Sequence, residues 1–156
     1  MAEQVKKDNQ DNIVIRFSGD SGDGMQLAGT LFANISAMSG NNISTFPDFP
    51  SEIRAPQGTI SGVSGFQVHV GHKRINTPGD YADVLVAMNP AALKANLKWA
   101  KRGATIIVDA DIFDDKHLQK AGYITNPLTD NSLQSYNLIC APITSQTQKV
   151  LADSQL

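Results

Sequence analysis

Cysteine occurs once in the 156-residue chain, at Cys140. A lone thiol excludes an internal disulfide framework and a four-thiolate iron–sulfur cluster held by this chain alone. Charge is also sparse, with Asp, Glu, Lys and Arg making up 18% against the usual quarter. The 13 basic and 15 acidic side chains leave a net charge of -2, so no excess of one sign draws nucleic acid. No apolar run is long enough to cross a bilayer, and Met1 to Asp11 has no apolar segment of the kind that directs secretion. These absences predict a reduced, cytoplasmic compartment without nucleic-acid or membrane partners. Residues 1–11 read as a disordered tail and residues 12–156 as one domain.

Hydrophobic residues make up 41% of the chain, and their arrangement indicates the elements. Asn12 to Phe17 is a short apolar run that stops at a glycine-rich turn, as a strand does. Met25, Ala28, Leu31, Phe32, Ile35 and Met38 then recur at three- and four-residue steps, which predicts one buried helix face closed by Gly40. Asp83–Met88, Ala104–Asp109 and Asn137–Pro142 are apolar at consecutive positions, the pattern of strands covered on both faces. Between the first two of these, Asn89 and Pro90 open a helix. Lys98, Lys101 and Arg102 are expected near its end, with Gly103 beyond it. Phe66, Val68 and Val70 alternate with Gln67 and His69 in Gly62–Gly71, a strand with one less buried face, and Thr59–Val63 is expected to pair with it. A strand, helix, strand succession means a right-handed parallel crossover. The fold class predicted is α/β: a three-layer α/β/α, Rossmann-like, mixed but mostly parallel sheet. A last helix is expected from Thr144, with Val150 and Leu151 on it. The chain then stops at Leu156 before any following element, which reads as a piece of a longer polypeptide.

Ser18-Gly-Asp-Ser-Gly-Asp-Gly24 joins the first strand to the first helix. Bare amides at a helix N-terminus can hold an anion. A dinucleotide fingerprint is met at Gly19 and Gly24 but interrupted by Ser21, and Met25-Gln26 stands where a Walker loop needs Lys and Ser or Thr. Gly22-Asp-Gly24 spells the core of a thiamine-diphosphate magnesium motif, but Asn41-Asn42 comes too early to complete it. Asp20 and Asp23 repel a bare phosphate. Ligand contact and a plain turn whose aspartates cap the helix both remain open on the residues alone.

Phe46-Pro-Asp-Phe-Pro-Ser-Glu-Ile-Arg-Ala-Pro-Gln-Gly58 is the second unusual stretch. Its prolines and aromatics fix an extended segment that is neither helix nor central strand. Arg54 can meet a carboxylate or phosphate there, or pair with Glu52 on the surface. His69, His72 and His117 form no ligand cluster with Cys140, which reads as an inert buried thiol. Trp99 with Lys94, Lys98 and Lys101 reads as a solvated helix end rather than a stacking platform. No Ser–His–Asp or Cys–His arrangement is present.

Phe17–Gly29, Phe46–Gly58 and Gly62–Gly71 together resemble the 2-oxoacid:ferredoxin oxidoreductases. The similarity is to the gamma-type domain that opens the alpha subunit of the 2-oxoglutarate type, and it runs from Ile13 to Pro142. Many members carry Gly and Gln where this chain has Ser21 and Asp23, and Arg-Gly-Gly where it has Arg54-Ala-Pro. The resemblance implies a share in a whole enzyme that decarboxylates a 2-oxoacid, passes the acyl group to coenzyme A and sends electrons to ferredoxin. It implies thiamine diphosphate, Mg2+ and an iron–sulfur cluster in the complete enzyme, a beta subunit as partner, and no such cofactor held by this chain alone. The thiamine-binding domain would follow this one. No catalytic residue and no metal ligand is expected here. Gly19, Ser21, Gly22, Asp23, Gly24 and Arg54 are expected to form the face toward coenzyme A or the 2-oxoacid. The alternative is a stand-alone Rossmann-like nucleotide-binding module.

Overall fold

The computed structural model describes residues 11–49 and 62–154. Six strands form one sheet in the order β2-β3-β1-β4-β5-β6. They are β1 (Asn12–Asp20), β2 (Asn42–Asp48), β3 (Val63–Gly71), β4 (Ala82–Ala87), β5 (Ala100–Asp109) and β6 (Asn137–Ala141). β1, β4, β5 and β6 run parallel, while β3 is antiparallel to both β1 and β2. The mixed, mostly parallel sheet expected from the apolar runs is the one observed.

One detail of the antiparallel part differs from expectation. β3 pairs with β1 and with β2, and of the segment Thr59–Val63 only Val63 belongs to β3; residues 59–61 lie outside the described residues. Phe46-Pro47-Asp48 is extended and not a central strand, as expected: it lies in β2, the sheet edge, where proline's missing N–H costs no ladder bond.

Helices α1 (Met25–Met38) and α2 (Pro90–Asn96) lie on opposite faces, as the alternation along β1 shows. Phe17 stacks on Phe32 of α1 with ring centroids 5.7 Å apart. Its neighbours Arg16 and Ser18 point the other way and bond Asn96 of α2. Each face has its own core: Ala33, Phe66, Val68 and Val70 on the α1 side, and Leu85, Leu93, Ile106 and Val108 on the α2 side. α3 (Asp115–Lys120) joins the second core through Leu118, and α4 (Ile143–Asp153) follows β6.

The buried face of α1 is rotated from the one the spacing predicted. Met25, Gly29 and Ala33 are buried, whereas Leu31, Ile35 and Met38 are exposed. The helix approaches β3 so closely that a Cβ on Gly29 would stand 2.2 Å from Phe66 Cδ1. Small residues therefore face the sheet, and the large ones turn outward. α2 opens as expected, with Asn89 Oδ1 accepting from the Ala92 amide at 2.8 Å and Pro90 in the first turn. It ends earlier than expected: Lys98 lies in a 3-10 turn (Leu97–Trp99), and Lys101, Arg102 and Gly103 belong to β5. α4 starts at Ile143, one residue before the predicted start, and Val150 and Leu151 are exposed on it.

Candidate functional site

The parallel strands β1 and β4 lie side by side, but their chains leave in opposite directions. After β1 the path crosses through α1 toward β2, and after β4 it crosses through α2 toward β5. A crevice at the carboxyl ends of such a strand pair is where open α/β sheets bind ligands. The glycine-rich turn, residues 20–24, sits at this switch point, and Met88 and Asn89 form the opposite lip. The Met88 amide donates to the Ser18 carbonyl at 2.9 Å, tying the two lips together.

The turn is held by Asp23. Its Oδ2 accepts from the Asp20 amide at 2.7 Å and from Asn89 Nδ2 at 3.4 Å. Gly19 leaves room for this carboxylate, since a Cβ there would lie 2.8 Å from Asp23 Oδ2. Asp20 Oδ1 is buried and has no hydrogen-bond partner among the described residues. A cavity of about 30 Å³ lies beside Asp20, Asn89, His117 and Lys120, enough for one bridging water.

Of the two readings left open for the turn, capping of α1 by its aspartates is not what the structure shows. The N-cap residue is Gly24, at φ 75°, and no side chain caps the helix, because the Asp23 carboxylate is already engaged across the turn. The first-turn amides of α1 therefore face the crevice without a side-chain acceptor, while Ser21, Gly22, Asp23 and Gly24 are exposed around them. The two carboxylates remain beside those donors, so an anionic group would need to approach through the uncapped amides.

Arg54 and Glu52 lie outside the described residues, but both ends of the segment that carries them are in view. Asp48 is the last β2 residue in register with β3, and Gly62 re-enters with its carbonyl accepting from the Ser21 amide at 3.2 Å. Gly62, the first described residue after that segment, thus lies directly beside the turn. Gly19, Ser21, Gly22, Asp23 and Gly24 are brought together at one switch point.

Farther along the strand ends, Asp109 is fully buried and binds the start of α4. Its carboxylate accepts from the Ile143 and Thr144 amides at 3.1 and 3.2 Å, and from the Thr144 hydroxyl. Asp111 does the same for Ser145, and bonds from the Ser145 amide and then its hydroxyl hold the Asp111 carboxyl below the usual carboxylate range. Cys140 is exposed, correcting the expectation of a buried thiol, because β6 is the other edge of the sheet.

A second polar group was not legible as a site. Arg16, in the middle of β1, is 6% exposed. It donates through Nε to Asn96 Oδ1 at 2.7 Å, through Nη1 to Gln67 Oε1 at 3.3 Å, and through Nη2 to Asp48. The available signal was the charge itself, since an arginine inside a run of covered strand residues requires buried partners.

A model of the pyruvate ferredoxin/flavodoxin oxidoreductase family matches residues 14–154. The 2-oxoglutarate oxidoreductase subunit KorA of Mycobacterium tuberculosis is 50% identical over 137 residues, which are 88% of this chain and 21% of that protein. The chain thus spans about a fifth of the length of this relative. Among solved structures, the 2-oxoglutarate:ferredoxin oxidoreductase of Magnetococcus marinus, with 2-oxoglutarate, coenzyme A and succinyl-CoA bound, superposes with a TM-score of 0.69 at 22% identity, over 91% of this chain and 22% of its own. The keto/oxoacid ferredoxin oxidoreductase gamma subunit of Geobacter sulfurreducens gives 0.63 at 19% identity, over 90% of this chain and 66% of its own. Both share the fold described above.

Proposed function

The chain belongs to the pyruvate ferredoxin/flavodoxin oxidoreductase family, and from that premise we propose that residues 12–156 form the gamma-type domain of the alpha subunit of a 2-oxoglutarate:ferredoxin oxidoreductase. The observation that carries the choice of 2-oxoglutarate is the 50% identity to a KorA subunit over 137 residues. The complete reaction converts 2-oxoglutarate, coenzyme A and two oxidised ferredoxins into succinyl-CoA, carbon dioxide, two reduced ferredoxins and a proton. An iron–sulfur cluster does not fit this chain, because Cys140 is its sole cysteine. Nor do any three His, Cys, Asp or Glu side chains converge on a metal site among the described residues. Thiamine diphosphate, Mg2+ and the cluster are assigned in this reading to the rest of the alpha subunit and the beta subunit.

The share assigned to this chain is to bind and orient. The uncapped amides of α1, framed by Gly19, Ser21, Gly22, Asp23 and Gly24, offer fixed donors, and Arg54, which lies outside the described residues, is assigned to the same face on its charge and its place in the sequence. This face is assigned to coenzyme A or the 2-oxoacid. A stand-alone dinucleotide module fits less well, since Ser21 stands where the dinucleotide fingerprint needs its second glycine. The test is reconstitution of the chain with the rest of the alpha subunit and the beta subunit, followed by assay of viologen reduction. Reduction should require 2-oxoglutarate and coenzyme A together, and Arg54→Ala should raise the KM for one of them about tenfold or more, the loss expected for a charge-assisted contact. Unchanged KM values for both would remove Arg54 from the site.

A further inference from the structure

On the α2 face of the sheet, beyond the end of that helix, a cleft of about 550 Å³ opens over β1, β3 and β2. This volume suits an organic ligand. It lies away from the glycine-rich turn, toward the amino end of β4. Arg16, Phe46, Asp48, Asp80, Tyr81 and Trp99 are among its lining residues. Among the described residues the exposed large aromatics are Phe46, Phe49, Tyr81 and Trp99, and three of these four line this cleft. Tyr81 and Trp99 stand with ring centroids 6.5 Å apart, tilted by 43°.

The walls are held by the buried polar group beneath them. Gln67, 4% exposed, donates to the Pro78 and Gly79 carbonyls at 2.9 and 2.6 Å, pinning the strap that leads into Tyr81. Asn96, also 4% exposed, ties the end of α2, three residues before Trp99, to Arg16 and Ser18. Arg16 in turn holds Asp48 through Oδ2, and Asp48 Oδ1 accepts no hydrogen bond among the described residues. Side chains fixed in this way lose little freedom when a ligand arrives.

The charges decide the class of ligand. Arg16 and Asp48 cancel as an ion pair, and Asp80, exposed at the rim, has no ion-pair partner among the described residues. A free carboxylate beside aromatic faces attracts a soft organic cation. Lys98 already holds such a position, with Nζ 5.2 Å from the Trp99 ring centroid, and an incoming cation has to displace this exposed side chain from the ring. We propose that this cleft binds an organic cation, an alkylammonium or guanidinium group held between Tyr81 and Trp99 and paired with Asp80. The proposal rests on the cleft alone and stands apart from the family reading.

Trp99 is the only tryptophan in the chain, so its emission reports directly on the cleft. Tetramethylammonium, agmatine and a short arginine-containing peptide, titrated against sodium chloride at matched ionic strength, should change that emission saturably. Asp80→Asn and Tyr81→Ala should each weaken binding by about three- to fivefold, with the circular dichroism spectrum unchanged. Saturation by the small cations supports a free ligand. Saturation by the peptide alone supports the same group carried on a partner protein. No saturable response to any of the three, an equal response to neutral tert-butanol or to the same peptide with citrulline in place of arginine, or unchanged affinity in Asp80→Asn would overturn the proposal. These results are distinct from reconstituted 2-oxoglutarate activity, which the cleft is not required to support.

Discussion

Arg16 shows how one charge can organise a sheet face. Burying a guanidinium is unfavourable unless its donors are satisfied, and here Asn96, Gln67 and Asp48 accept from it. Replacing it by Met, which keeps the volume of the stem, should leave the buried oxygens of Asn96 and Gln67 without a donor. The expected loss is about 3 kcal/mol in urea unfolding, and the strap around Gly79 should loosen in hydrogen exchange. Gly29 makes the opposite point, since it contributes by having no side chain. In a free helix Gly29→Ala would gain about 1 kcal/mol from propensity. In this fold the added Cβ would stand within 2.8 Å of three atoms of Phe66. Overpacking of this kind costs about 1–3 kcal/mol, so the variant should unfold at lower urea than the parent.

The elements are joined by carboxylates as much as by apolar contact. α4 buries no residue of its own, and no side chain caps it from its N-cap position, Pro142. It is held at its first turn by Asp109 and Asp111, which reach it from the end of β5 and the turn that follows. The Ser145 bonds lower the Asp111 carboxyl from its ordinary value of 3.8. A depressed folded value means that the stabilising contribution is present above pH 3.8 and is lost as pH falls through the lower folded value. Fraying of α4 is therefore expected below about pH 4, seen as loss of amide protection at Ser145 while the β-sheet amides persist. Ser145→Ala should bring that fraying to higher pH by weakening the hold on the first turn.

Across the whole molecule the two faces of the sheet are covered unequally. On the α2 side Leu85, Ala87, Ile106 and Val108 are fully buried, whereas on the same strands Val84, Val86 and Ile107 are only partly covered, and Ile139 of β6 is exposed. The outward face of α1 is apolar and the helix carries no charged residue. Tyr123 lies against the well-covered core and couples it to alkaline pH. Burial, and then the nearby Asp130 charge, raise its phenol from 10.0 to about 12. A raised folded value keeps the full contribution below pH 10.0 and loses it as pH rises toward about 12. Global stability should fall over that interval, and Tyr123→Phe should flatten the fall in urea midpoints measured between those limits.

The linear order of residues was enough to reveal the sheet, because covered parallel strands such as Ala104–Asp109 must be apolar at every position and therefore announce themselves. The opening of α2 was legible for a similar reason, since Asn89 and Pro90 act within their own turn. The glycine-rich turn was legible as a strand-to-helix turn, but its place at a switch point came only with the strand order. Folding in three dimensions had to decide the rest. Helical spacing reports that α1 has apolar residues, but which of them face inward depends on how near the sheet comes, and the contact of Gly29 with Phe66 places Leu31, Ile35 and Met38 outside. Asp23 was legible as a cap by local chemistry, yet its acceptor capacity is taken by Asp20 and by Asn89, a residue 66 positions away. The cleft above Arg16 draws on five separate stretches of chain, so no single stretch encodes it. Periodicity and capping are local and can be read along the chain, whereas burial, charge pairing and cavity shape are set by distances between residues remote from one another.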